Sequence, residues 1–318
     1  MPDYGHEQTD KELKKLENKL AKEYRQAAKE VKQKFKRYME QFEKKDAEMQ
    51  KKVASGQMSA EDYGRWRLGQ IMTGERWKQM EKTLTEDLVN VDKIAAGMIN
   101  DSLPSAYALN YNYGTYEVEH GTKINTGFTM YDKNTVKNLM RKDPKIIPKA
   151  KVDIPKDELW NRRKLTSAIT QGILQGESIP KIAKRLGSVA DMDRKAAIRN
   201  ARTYTTAAEN KGRVDSYKRA EKLGIEMENM WMATLDGRTR DSHRHIDGEV
   251  VPVGEQFSNG CEYPGDPDGP DEEIYNCRCT LVAQIKNYDY HDERNDSKLG
   301  DMTYEEWKHA KDREKGGD

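Results

Sequence analysis

From Lys11 to about Gln50 apolar side chains return at steps of three and four: Leu13, Leu16, Leu20, Tyr24, Ala27, Val31, Phe35, Tyr38 and Phe42. A helix presents one face every 3.6 residues, so this spacing predicts a single long amphipathic helix with lysines and glutamates mixed over its other faces. The average step is wider than the 3.5 residues of a heptad, which favours a nearly straight helix docked on another surface over a left-handed coiled coil. Ser59, ahead of Glu61 and Asp62, has the character of a helix N-cap. Tyr63, Trp66, Ile71, Trp77, Met80, Leu84, Leu88 and Val91 then supply anchors for one or two further helices, which Gly64, Gly69 and Gly74 are expected to punctuate.

Apolar density rises from Val91 to Leu109, in a helix expected to be interrupted near Pro104. The following YNYGTYEVEHGTKINTGF mixes aromatics, threonine and glycine, which predicts a turn or short hairpin. A helical phase restarts over Thr135 to Met140, and Pro144, Pro148 and Pro155 break it into an extended arm. A second helical block follows, anchored by Leu159, Trp160, Leu165, Ile169, Ile173 and Leu174, with Pro180 in a first turn and a further helical run from Arg194 to Leu223. After Gly224 the texture changes to short strands: MENMWMATLDG with an Asp236–Gly237 turn, VVPVGEQF, and a last strand from Arg278 to Ile285. Helices followed by a small stranded unit give an α+β fold, with an extended, mainly helical N-terminal region, a helical segment and a loop-rich C-terminal domain. The expected divisions are 1–142, a proline-rich linker at 143–158, a domain at 159–285, and a tail at 286–318 with one short helix opened by a Thr303/Glu306 capping box.

The chain has 318 residues, and its 56 basic and 55 acidic side chains leave a net charge of +1, so bulk charge gives no reason to expect a nucleic-acid partner. Three cysteines and an N-terminus without an apolar segment point to a reducing compartment rather than secretion. No stretch approaches the roughly 18 apolar residues of a spanning helix, so no membrane partner is expected.

The chemistry is concentrated in LDGRTRDSHRHIDG, Leu235 to Gly248, and in Asn276, Cys277, Arg278, Cys279 and Thr280. The loop between them is too rich in glycine and proline for an ordinary element and calls for a lid, a binding loop or an internal staple. Thiolate sulfur and imidazole nitrogen suit zinc, with His243, Cys277 and Cys279 as ligands and Cys261 or His245 as a fourth. Reduced cysteines packed as small hydrophobes are the competing account, and redox or nucleophilic chemistry is the third. His243 reads equally as a ligand, as a general base held by Asp241 or Asp247, or as a polar core residue. Arg238, Arg240 and Arg244 have the chemistry to meet phosphate, or to pair with Asp236, Asp241 and Asp247. Asp266, Asp268, Asp271, Glu272 and Glu273 lack the ordered spacing of a calcium loop.

The ordered set Ala201-Arg202-Thr203, Asn210 to Arg213, WMATLDGRTRDSHRHIDG, FSNG, YPGD and NCRCTL resembles the Mu F-like family of phage minor head proteins, also described as the SPP1 gene-7-like head morphogenesis family. The resemblance covers about Trp160 to Val282. It carries the family pattern onto Arg202, Thr203, Arg240, His243, Asp247, Gly248, Cys277, Arg278 and Cys279. Cys261 lies outside that pattern, and Tyr204 stands where an acidic residue commonly follows the Arg-Thr pair. The resemblance implies a few-copy component of the virion, in the head interior near the portal and in the host cytoplasm during assembly. Its implied partners are the portal protein and inner capsid or scaffold proteins, with weak non-specific contact to packaged DNA. On this reading the chain is a minor structural component and not an enzyme, its N-terminal helices offering an aromatic stripe to a partner surface. The opposing readings are a metal-dependent phosphoesterase or nuclease built around His243 and the neighbouring aspartates, and a non-specific DNA-binding module that uses lysines such as Lys308, Lys311 and Lys315.

Overall fold

The computed structural model describes residues 3–286 and 297–315. In chain order it forms α1 (Tyr4–Ala54), α2 (Ala60–Leu68), a π-helical turn (Gly69–Thr73), α3 (Glu75–Thr122), α4 (Lys133–Lys142), α5 (Ile154–Leu174) and α6 (Ile179–Glu221). Then follow β1 (Met227–Met232), α7 (Asp241–His245), β2 (Val250–Pro252), α8 (Asp271–Ile274), β3 (Thr280–Ile285), a 3-10 turn (Ser297–Asp301) and α9 (Tyr304–Lys315). The fold is α+β. The chain divides into two compact units: residues 1–17, 98–150 and 199–318 form one, and residues 18–97 and 151–198 the other.

The second unit is helical throughout. The stripe on α1 forms its core, with Val31, Phe35 and Phe42 packed among Trp77, Leu84 and Leu88 of α3, Leu165 and Ile169 of α5, and Leu186 and Val189 of α6. The surface on which this stripe docks is therefore the chain's own, and an exposed aromatic face offered to a partner is not what the fold leaves. Ser59 caps α2 as its position predicts, its Oγ accepting from Asp62 N at 3.0 Å.

In the first unit α3 runs through Pro104 without ending, and it continues over Tyr111 to Thr122 where a hairpin was expected. The glycines that suggested turns serve as points of close approach instead. A Cβ at Gly114 would lie 2.2 Å from Ser216 Oγ, and one at Gly212 would lie 2.5 Å from the Tyr107 carbonyl oxygen, so α3 and α6 pack backbone against backbone there. Thr115 and Thr122 return their hydroxyls to the carbonyls four residues back, which lets these poor helix formers stay helical. A three-stranded antiparallel sheet, ordered β2-β1-β3, lies over α6, with Asn229 of β1 opposite both Val251 and Ala283.

The capping box at Thr303 and Glu306 forms as read: Thr303 N donates to Glu306 Oε2 at 2.8 Å. The same helix, α9, buries Trp307 and Lys311. Glu119, fully buried on α3, accepts from Trp307 Nε1 at 2.6 Å and from Lys311 Nζ at 3.1 Å, so Lys311 is not available to DNA. The Lys315 side chain lies outside the described residues. Among the described residues no helix is long and apolar enough to cross a membrane.

Candidate metal centre

A ladder of polar side chains on one face of α6 fixes the segment that carries two of the cysteines. Thr203 Oγ1 accepts from Asn276 N at 2.9 Å, Thr206 Oγ1 donates to the Cys277 carbonyl at 2.8 Å, and Arg213 Nη1 donates to the Leu281 carbonyl at 2.7 Å. Asn210 lies between them, donating to the Cys279 carbonyl at 3.3 Å and accepting from Leu281 N at 2.9 Å. The spacing 203, 206, 210, 213 is that of a helix face. Asn276 adopts the left-handed conformation (φ 60°), which asparagine tolerates better than most residues, and its Oδ1 accepts from Arg202 Nη1 at 3.2 Å. From that bend Cys277 and Cys279, two residues apart on extended backbone, direct both sulfurs to one side.

His243 arrives from the opposite side on the short helix α7. Its entry turn is closed by Asp236, whose Oδ1 accepts from Arg238 N at 2.8 Å, and its exit by Gly248, whose N–H bonds the Trp231 carbonyl at 2.8 Å with φ at +81°. Asp247 accepts from Ala233 N at 2.8 Å and so ties the end of this turn to β1. The Trp231 ring meets the imidazole edge-on at 5.2 Å and fixes its plane.

The result is a buried triad. His243 Nδ1 lies 3.3 Å from Cys279 Sγ and 3.7 Å from Cys277 Sγ, and the three donor atoms all fall within 4.8 Å of one another. Nitrogen and sulfur donors on a tetrahedral zinc ion, at bond lengths of about 2.05 and 2.3 Å, stand about 3.6 Å apart, so the separations fit that metal. The other imidazole nitrogen, Nε2, lies 2.8 Å from Glu273 Oε2 on α8. That carboxylate is off the line of the ring N–H, so the contact is electrostatic rather than a well-aligned hydrogen bond. Its negative charge beside Nε2 leaves Nδ1 as the nitrogen turned toward the two sulfurs. The Cys277–Cys279 hydrogen bond holds Cys277 well above the ordinary cysteine range and outweighs burial in bringing Cys279 down to about 5, with His243 adding to the effect. A cysteine whose thiol is held low, beside a second sulfur and an imidazole nitrogen, has the donor chemistry that a soft cation takes.

Among the described residues the donor set ends there. Cys261 is buried in the same apolar cluster without joining the donors, and burial pushes its thiol up to about 12. His245 and Asp241 are exposed. Asp236, an expected oxygen ligand, is engaged by Arg278, whose two terminal nitrogens each lie 2.7 Å from its carboxylate. This pairing and the Arg238 backbone N–H hold Asp236 well below the usual carboxylate range. Thr206 was not singled out by the sequence, Asn210 entered only with the motifs of the family resemblance, and Glu273 only as one of the loop acids; the helical spacing of Thr206 and Asn210 with Thr203 is the signal that could have marked their bracing role. A cleft of about 20 Å³, enough for one water molecule, is lined by the three donors together with Thr234, Arg238, Arg240 and Arg278. These features contradict the expectation that the chain is not an enzyme: three buried donors able to hold a metal ion lie beside a polar cleft.

A family model described as "Phage Mu protein F like protein" matches residues 163–282, which include every one of these donors. Minor head protein GP7 of Bacillus phage SPP1 is 29% identical over 224 residues, covering 66% of this chain and 70% of that protein.

Residues 163–282 match the phage Mu protein F-like family.

That match and the SPP1 relative together support assignment to phage head-morphogenesis proteins. Another relative is an NAD(+)–arginine ADP-ribosyltransferase of Enterococcus faecalis, 30% identical over 158 residues, and the match spans 32% of that protein's length. An uncharacterized Bacillus subtilis protein is 28% identical over 124 residues, covering 37% of the chain and 40% of the relative. No solved structure matches the chain.

Proposed function

We propose that the protein acts in phage head morphogenesis and carries in its C-terminal module a zinc centre suited to phosphoester chemistry. The observation that carries this is the convergence of His243 Nδ1, Cys277 Sγ and Cys279 Sγ on a cleft also lined by Arg238, Arg240 and Arg278. Zinc held by three protein donors supplies Lewis acidity to a water or phosphoryl oxygen. Arg278 is held by Asp236 through two short contacts; Arg238, paired more loosely with the same carboxylate at 3.6 Å, and Arg240, which also donates to the Tyr275 carbonyl, are the cations with donors left to orient an anionic group, while the Glu273 charge lies beside the imidazole. Buried Trp231 meets the imidazole edge-on, with Phe257 packed against Trp231 in turn, and the pair keeps water from that side.

The name of the SPP1 relative supports a place in the head as a minor component. On this reading 159–285 is the head-morphogenesis module, and 1–142, the linker at 143–158 and the tail at 286–318 serve attachment to the portal, inner capsid or scaffold. DNA contact is weak and sequence-independent, in keeping with a net charge of +1.

Hydrolysis of an activated phosphodiester and of single-stranded DNA by the full chain, with and without chelator, tests the chemical reading. Turnover is expected, to be lost with chelator and in Cys279→Ser, and reduced roughly tenfold or more in Arg240→Gln, which removes transition-state charge stabilisation but no metal donor. A zinc-loaded protein inert toward both substrates would end the phosphoester assignment.

A further inference from the structure

The helical unit contains a second cluster of titratable groups, unrelated to the metal centre. Asp92 of α3, Asp157 of α5 and Asp193 of α6 act on one another electrostatically, and Tyr24 of α1 donates to Asp92 Oδ1 at 2.6 Å. Asn161 of α5 turns its amide toward Asp92, with Nδ2 to Oδ2 at 3.5 Å. Two buried oxygens at this place have no hydrogen-bond partner among the described residues: Asp193 Oδ2, on a residue 8% exposed, and Asn161 Oδ1, on a residue 1% exposed. Lys156, beside Asp157 at the start of α5 with Asp153, is the cation that acts here; neither Asp92 nor Asp193 forms an ion pair among the described residues. Three carboxylates brought together from three helices, without compensating charge, cannot all be ionised at low cost. Their donor atoms are also too dispersed to count among the described groups able to hold a metal.

We propose that this cluster is a proton-dependent lock on the helical unit, tight while Asp193 carries a proton and loosened when that proton leaves. Burial, with Asp92 and Asp157 adding to it, raises the Asp193 carboxyl to about 8, and burial raises Asp92 to about 6. A carboxyl whose folded value lies above its unfolded one holds a proton that the unfolded chain has already released. Its stabilising effect is complete below the unfolded value near 3.8 and is lost as pH rises through about 8. The four helices would thus be held most firmly under mildly acidic conditions and would gain freedom on the alkaline side of neutrality.

The test uses the full chain, with urea unfolding and hydrogen exchange, corrected for intrinsic rates, between pH 5 and 9. In the wild type, the opening equilibrium of residues 151–198 should rise by up to about tenfold per pH unit between pH 5 and 7, the limit for one linked proton. Asp193→Asn, which fixes the neutral form, should flatten this dependence, and Asp92→Asn should lower the pH at which it is centred. The strands at 227–285 report whether the effect is confined to the helical unit. A flat wild-type profile, or an unchanged slope in Asp193→Asn, would overturn the lock. So would full restoration of alkaline stability by millimolar magnesium or calcium, which would make the cluster a cation site instead.

Discussion

The two units hold their helices and strands together by opposite means. The helical unit is a continuous apolar core of residues such as Phe35, Trp77, Leu84 and Leu165, and its conspicuous polar feature is a group of acids left uncompensated. The unit with the strands has small, separate apolar clusters, and its rigidity comes from buried polar side chains: Thr206, Asn210 and Arg213 on α6, which bond backbone, and Glu119, which bonds the Trp307 and Lys311 side chains of α9. Apolar burial is non-directional and tolerant of small shifts, whereas a hydrogen-bond ladder fixes position to a few tenths of an ångström. A metal triad needs the second kind of support, and it is found on the unit that has it.

The sharpest way to break this contrast is at Arg213. It is fully buried, bonds the Leu281 carbonyl and Asn110, reaches Asp3 Oδ2 at 2.6 Å from Nη1, and stacks on Tyr113 with its guanidinium 5.0 Å from the ring centre. Arg213→Met leaves Asp3 and the β3 backbone without their partner and should cost about 3–5 kcal/mol in the unfolding of this unit. Removing residues 1–10 attacks the same pair from the other side and should have a similar effect on exchange protection of β3. If both variants keep wild-type denaturant midpoints, the polar ladder is not what holds the unit.

A smaller and more local effect is expected at Asn210. Its amide bonds Cys279 O, Pro264 O and Leu281 N, so Asn210→Ala strands three buried groups and should cost about 1–3 kcal/mol. Zinc affinity should weaken along with stability in that variant, since the backbone of Cys279 loses its brace; unchanged affinity would separate the ladder from the metal centre.

The same contrast explains what the sequence disclosed. The α1 stripe, the Ser59 cap, the three strands and the Thr303/Glu306 box were legible because each depends on near neighbours in the chain. The helix over Tyr111 to Thr122 was not, because Gly114 and Gly121 carry turn signals in isolation and become contact points only against Ser216 and Ile285. At the metal centre His243, Cys277 and Cys279 were legible as residue types that bind zinc. Cys261 had the same chemistry and does not join them, a choice made by the path of the loop rather than by spacing. Glu273 was read as one of several loop acids, and only the docking of α8 against α7 makes it the partner of the imidazole.

The central claim is that the triad is a metal centre rather than three packed polar residues. Elemental analysis of protein purified without added metal tests it most directly, alongside Cys277→Ser and thermal unfolding with and without chelator. Roughly one zinc ion per chain is expected, lost in the variant and on chelation, with a fall in the melting temperature of the strand-bearing unit and little change in the helical one. Metal-free wild-type protein whose unfolding ignores the chelator would contradict the account and leave His243, Cys277 and Cys279 as core packing.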